Sequence, residues 1–240
     1  MIVMIDGIEF KKEHFIVAIG VDQGGNKHIL GVRQGPSENR SVCLELLNDL
    51  ERRRMDMKKR YLFVLDGSKS LRSAVAEKFG EDVEVQRCQI HKRRNVKSHL
   101  QEEHQEEFDR RIRNAYNMTG YAEAKESLLL TIRQLKNINP SAVRSLEEGL
   151  EETLTLHRLC ITGLLRKTLT NANVIECCFA RVRYVSRRVK RWRKGRMMER
   201  WVCASLLYTE RKFRRLRGYR ELRHLENILK NKLEKKEVAA

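Results

Sequence analysis

At 240 residues, with 41% hydrophobic and 34% charged side chains, the chain is long enough to bury a substantial core and too apolar to remain disordered. No stretch approaches the ~20 consecutive apolar residues of a membrane span, and the opening apolar run Met1 to Ile5 stops at Asp6, so neither a membrane anchor nor a signal-peptide core is expected. Six scattered cysteines, Cys177 and Cys178 adjacent, suit a reducing cytosol better than a disulfide framework, and with a net charge of +18 they point to a cytoplasmic protein with a polyanionic partner.

The first 35 residues read as an antiparallel meander of three strands, MIVMIDGIEF, HFIVAIGVD and KHILGVRQG, with turn signals at Gly24-Gly25 and Gly35-Pro36. Val42, Leu46, Leu47 and Leu50 then recur at helical spacing, and Ser37 with Glu38 behind it is the expected N-cap. YLFVLDGSKS opens on a continuous apolar run, the signature of a fully buried central strand, and LRSAVAEKFG reads as a short helix closed by Gly80. VEVQRCQIHKRRN supplies one more short strand running into a basic turn. From about 97 to 165 the pattern is helical throughout, with Asn139-Pro140 opening one helix as N-cap and N1.

This order predicts an α/β fold: an RNase H-like mixed sheet with a helical insertion and a basic C-terminal helical region. The expected divisions are 1–96 for the first part of the core, 97–165 for the insertion, and 166–240 for a returning core helix and basic helices.

The positive charge is concentrated. Residues 161–220 hold 18 lysines and arginines against three acids, Glu176, Glu199 and Glu210, so one quarter of the chain carries nearly all of the excess. Solubilising charge normally mixes both signs, and a one-signed segment is the footprint of a nucleic acid, whose condensed counterions are released on binding. HKRRN contributes Arg93 and Arg94, and a later cluster contributes Arg187, Arg191 and Lys194 around Trp192, which is expected to be a buried anchor.

Cleaving a phosphodiester calls for a nucleophilic water or hydroxyl and a neutralised leaving oxygen, chemistry that divalent ions supply when carboxylates from separate elements converge on them. Asp6 and Asp66 each end an apolar run and precede a glycine, in the phrases MIDG and VLDG. Taken alone, Asp6 reads as hairpin-turn chemistry. Asp66 ends the most hydrophobic strand, at the carboxyl edge where open sheets place ligands, with helix capping by Asp66 or Ser68 as the plainer alternative. Glu176 flanks the helical stripe Ile175, Phe179, Val182 and Val189 and is the only acid between Glu152 and Glu199. Arg183 and Arg187 fall within about 20° of its azimuth. A surface ion pair with a neighbouring arginine explains Glu176 as well as metal binding does. Cys88 and His91 have the spacing of a zinc pair, but no second pair exists, so Cys88 is expected to be structural, His91 a polar contact, and no zinc is predicted.

With these residues assembled, the chain resembles the Mutator-type transposases of bacterial insertion sequences, through MIDGIEF, HILGVRQGPSEN, YLFVLDGSKSLRSAV, VQRCQIHKRRNV, TNANVIE, VKRW and RWVCASLL. The resemblance implies a catalytic triad of two aspartates and a glutamate, carried onto Asp6, Asp66 and Glu176, holding Mg²⁺ or Mn²⁺ for DNA cleavage and strand transfer. It further implies a supporting role for Cys88 and His91, DNA ends and target DNA as partners, a homo-oligomer when full length, and a bacterial, nucleoid-associated location. Such transposases carry a sizeable helical region ahead of the first aspartate, so this chain, beginning five residues before Asp6, is expected to be a truncated copy. A non-catalytic DNA-binding remnant and a nuclease acting on RNA are the competing readings.

Overall fold

A computed structural model describes residues 1–10, 12–35, 39–187, 189–192 and 196–238, with side chains as far as residue 232. The opening meander forms as the alternation predicts: β1 (Ile2–Phe10), β2 (Glu13–Val21) and β3 (Lys27–Gly35) pair antiparallel, with an irregularity in the β2–β3 register at Ala18/Ile19. After α1 (Arg40–Arg52) come β4 (Leu62–Leu65), α2 (Lys69–Phe79) and β5 (Glu84–Arg87). β4 joins β1 in parallel, β5 joins β4 in parallel, and the five-stranded mixed sheet has the order β3-β2-β1-β4-β5.

Period-two alternation divides the sheet into two faces. Val3, Ile5, Phe63 and Leu65 point toward α1 and α2, meeting Leu46, Leu47, Leu50, Leu71 and Val75. Ile2, Met4, Ile8, Leu62 and Val64 point the other way, toward C-terminal helices. β1 and β4 are thus buried on both sides, which is why their sequences read as near-continuous apolar runs.

The remaining elements are helical: α3 (Gln89–Lys97), α4 (Glu102–Asn117), α5 (Tyr121–Leu135), α6 (Pro140–Glu147), the short α7 (Leu150–Thr153) and α8 (Thr155–Arg158), α9 (Gly163–Leu169), α10 (Asn173–Ser186), α11 (Arg196–Glu210), a 3₁₀ turn (Tyr219–Glu221) and α12 (Leu222–Val238). α4, α5 and α6 build a separate core from Phe108, Ile112, Leu128, Ile132 and Leu146, which Val96 of α3 also enters. α10, α11 and α12 cover the second face of the sheet with Ile175, Phe179, Val182, Val202, Leu206 and Leu225.

Several local expectations change. The cap of α1 is Asn39, whose side chain accepts from Val42 N at 3.1 Å; Ser37, the expected cap, lies outside the described residues. The stretch read as a basic turn, HKRRN, is the body of α3. Cys88 is its N-cap, with Sγ accepting from His91 N at 3.5 Å. Lys92 turns inward with Nζ donating to the carbonyls of Ser145 and Glu148 at 2.6 and 2.5 Å, beside the C-terminus of α6. That cation satisfies helix-end carbonyls that have no intrahelical partner, and burial draws its pKa down to about 8. α10 ends at Ser186, so Val189 lies beyond the apolar stripe it was expected to extend. Trp192 is half-buried rather than buried, edge-on to Phe10 at 5.0 Å between ring centroids. Gly80 at φ +88° closes α2, and Asn139 caps α6 with Pro140 behind it, both as the sequence predicts.

Candidate active site

Asp6 does not sit in a hairpin turn. It stands in the middle of β1, opposite Val17 and 7% exposed, so turn chemistry cannot explain it. The parallel register ends on the pair Ile5 and Leu65, and Asp6 and Asp66 are the residues that follow that pair in their chains. Alternation sets Asp6 on the face of Met4 and Ile8, the face that α10 covers.

The turn after β4 holds Asp66 in place. Gly67 adopts φ +122°, a conformation that strains an L side chain, and an added Cβ would stand 2.6 Å from Arg87 Nε. Asp66 Oδ1 accepts from Ser68 N at 2.9 Å, and Ser68 Oγ accepts from Leu71 N at 3.3 Å. The cap of α2 is therefore Ser68, and the capping alternative for Asp66 falls away.

Glu176 lies in the first turn of α10, where a negative charge is favoured by the helix dipole. Among the described residues its partner is not an arginine. His91 Nε2 approaches Glu176 Oε1 at 3.3 Å, which joins α3 to α10 across the end of the sheet. The strongest influence on the His91 ring is the sulfur of Cys88. Burial opposes it, and the charges of Cys88, Asp6 and Asp66 add to it, so the imidazole is pushed up to about 9 and carries a proton at neutral pH. His91 thus meets Glu176 directly and feels the charges of Asp6 and Asp66 from two further parts of the chain.

The donor types suit a hard divalent ion: an aspartate in β1, another in the turn after β4 and a glutamate on α10 all offer oxygen. Among the described residues, however, no three His, Cys, Asp or Glu side chains are grouped closely enough to hold one ion, and Glu176 is engaged by His91. Cys88 is buried and committed to capping, with no further thiol or imidazole completing a zinc set among the described residues.

Sequence comparison now identifies the scaffold. The family described as "Transposase, Mutator family" matches residues 3–215, nearly the whole chain and all the residues above. The chain belongs to the Mutator family of transposases. Among curated relatives, the transposase for insertion sequence element IST2 of Acidithiobacillus ferrooxidans is 29% identical over 73% of this chain and 58% of its own length. The transposase for ISRM5 of Rhizobium meliloti is 31% identical over 67% of this chain and 39% of its own, and that for IS1201 of Lactobacillus helveticus is 27% identical over 55% and 38%. The matched region thus spans between about two fifths and three fifths of these relatives.

The arginines of this Mutator-family chain divide into two groups. Arg93 is spent on structure: its guanidinium grips Asp109 of α4 through both carboxylate oxygens, with Nε to Oδ1 at 2.8 Å. Arg94, Arg183, Arg187 and Arg191 are exposed, and Arg187 stacks 4.1 Å from the Tyr184 ring centroid. Lys194 lies outside the described residues. Sequence reasoning missed Arg87. This last residue of β5 is buried; Nη1 donates to Glu148 O at 3.2 Å and Nη2 donates to Gly67 O, so it fastens the turn that carries Asp66. A charged residue ending a buried strand was the available signal. No helix among the described residues is long and apolar enough to cross a membrane.

Proposed function

We propose that this Mutator-family chain is the RNase H-like, DDE-type catalytic core of an insertion-sequence transposase, cutting DNA at the element's ends and joining a 3′-hydroxyl to target DNA with Mg²⁺ or Mn²⁺. The observation that supports this reading is the register of β1 and β4, whose last pair, Ile5 and Leu65, immediately precedes Asp6 and Asp66, with the helix of Glu176 covering the Asp6 face. A bound ion supplies an activated nucleophile and neutralises the leaving oxygen. Asp6 and Asp66 would hold it, with Glu176 completing the set. His91 positions Glu176 through the 3.3 Å contact. Arg183 and Arg187, on the azimuth of Glu176, steady the DNA backbone without reading sequence. DNA is the partner, with further copies of the full-length protein.

Calorimetric titration of Mn²⁺ into the wild type and Asp6→Asn, followed by nicking of supercoiled plasmid, tests the reading. Binding and nicking in the wild type, both lost in the variant, are expected. The absence of three grouped ligands among the described residues favours a second reading, a DNA-binding chain without cleavage. Tight plasmid retention with no metal response in either protein would establish that reading and sink the first.

The backbone contacts have their own test. Converting Arg183 and Arg187 to alanine is expected to weaken binding similarly across sequences and to lower the slope of log affinity against log salt by about 1 to 2. An unchanged slope would remove this edge of α10 from the DNA interface.

A further inference from the structure

We propose that a basic groove on the far side of α10 from Glu176 binds a second stretch of duplex DNA through its phosphate backbone. The proposal rests on the preceding reading that the chain handles DNA, and adds a site away from Arg183, Arg187 and Arg191 that gathers Lys27 with other cations of the basic segment 161–220.

The groove encloses about 640 Å³ between α9, α10 and the turn after α11. Seven lysines and arginines line it, and no acid does. Lys27 comes from the start of β3, Lys167 from α9 and Arg181 from α10, with Lys212 and three arginines from the turn after α11. None of the seven enters an ion pair among the described residues. The other large charged cavity is built oppositely: Arg72 meets Glu152 at 2.5 Å, and Arg158 and Lys232 meet Glu84 at 2.7 and 2.5 Å. Charge of one sign, gathered from four segments and left uncompensated, repels itself until a polyanion fills the space.

Two details favour a phosphate backbone over stacked bases. Phe213, the one aromatic ring lining the groove, is half-buried, with Lys27 Nζ 5.5 Å from its centroid; it offers no open platform to a base. Thr209, 1% exposed in the groove wall, has its hydroxyl without a hydrogen-bond partner among the described residues, a polar group available to a ligand oxygen.

α10 separates this groove from the candidate active site. Cys177 and Arg181 lie about 100° and 140° around the helix from Glu176, whereas Arg183 and Arg187 lie within about 20° of it. One helix therefore presents cations to two separate tracks.

Cys177 is exposed and lines the groove, while Cys160 is exposed elsewhere, so the protein carries both a reporter and its control. With a short duplex at ten times its dissociation constant, maleimide labelling of Cys177, read by mass spectrometry, is expected to slow about tenfold while Cys160 labels at its free rate. The double variant Arg181→Glu, Lys212→Glu is expected to lose that protection with its melting temperature retained. Duplex retention with Cys177 labelled at its free rate would overturn the groove and leave the proposed function standing. Failure to bind duplex at all would overturn both. Equal protection by poly-glutamate at matched charge would overturn the assignment to a phosphate backbone.

Discussion

Replacing Asp66 with asparagine is expected to reduce metal-dependent nicking by roughly 10³-fold or more while leaving DNA retention and the folded state nearly unchanged. The amide keeps the shape of the carboxylate, and its oxygen can still accept the Ser68 N–H that now meets Oδ1 at 2.9 Å, so the turn at Gly67 is preserved. What it loses is negative charge, the property a divalent ion requires. Asp66→Ala is the contrasting variant, because it removes that turn contact as well. Equal loss of nicking, DNA retention and thermal stability in Asp66→Asn would show that the carboxylate is structural.

Arg87→Met is expected to destabilise the protein by about 1 to 3 kcal/mol, because it takes the guanidinium donor from Gly67 O and leaves Glu148 O to Lys92 Nζ alone. The guanidinium bonds Glu148 O and Gly67 O, and a methionine fills the space without replacing either contact. The Glu148 carboxylate at 3.4 Å adds little, since that side chain is 40% exposed and its charge is screened. Urea unfolding measures the loss. Nicking by the folded fraction should also fall by at least about tenfold, since the Gly67 turn that positions Asp66 loses its fastening. A variant less stable by under about 1 kcal/mol, with full activity, would show that Ser68 alone fixes the turn.

Much of the fold was legible because the sheet is buried on both faces. Strands such as LFVL and IVMI leave little choice about where they go, and the helix carrying Leu46, Leu47 and Leu50 has an unambiguous stripe. α3 was not legible, because its cap is a cysteine and Gln89 and Lys92 are buried alongside Val96, so neither a usual cap nor an apolar stripe announces a helix. Asp6 misled for a different reason. Asp-Gly signals a hairpin, yet here apolar pairing continues past it through Ile8 and Phe10 and outweighs the local turn preference.

Within the candidate site, composition pointed to the acids but could not reveal their partners. The contact between His91 and Glu176 joins residues far apart in sequence, and Arg93 looked like a phosphate ligand until Asp109 was found in its grip. The groove beside α10 was hidden because only the fold brings Lys27, Lys167 and Arg181 from separate elements against the basic run of residues 211–217.

The chain order of these elements also sets when the site can exist. During synthesis β1, β2 and β3 emerge together and need only local turns to pair, and β4 can join β1 once it has left the ribosome. Glu176 follows only after the whole α3–α9 stretch has been made, and the face it overlies stays open until α10 docks. A nascent chain therefore carries an uncovered apolar sheet face until α10 has been made. Assembly of the candidate site is thus a late event, tied to closure of the core.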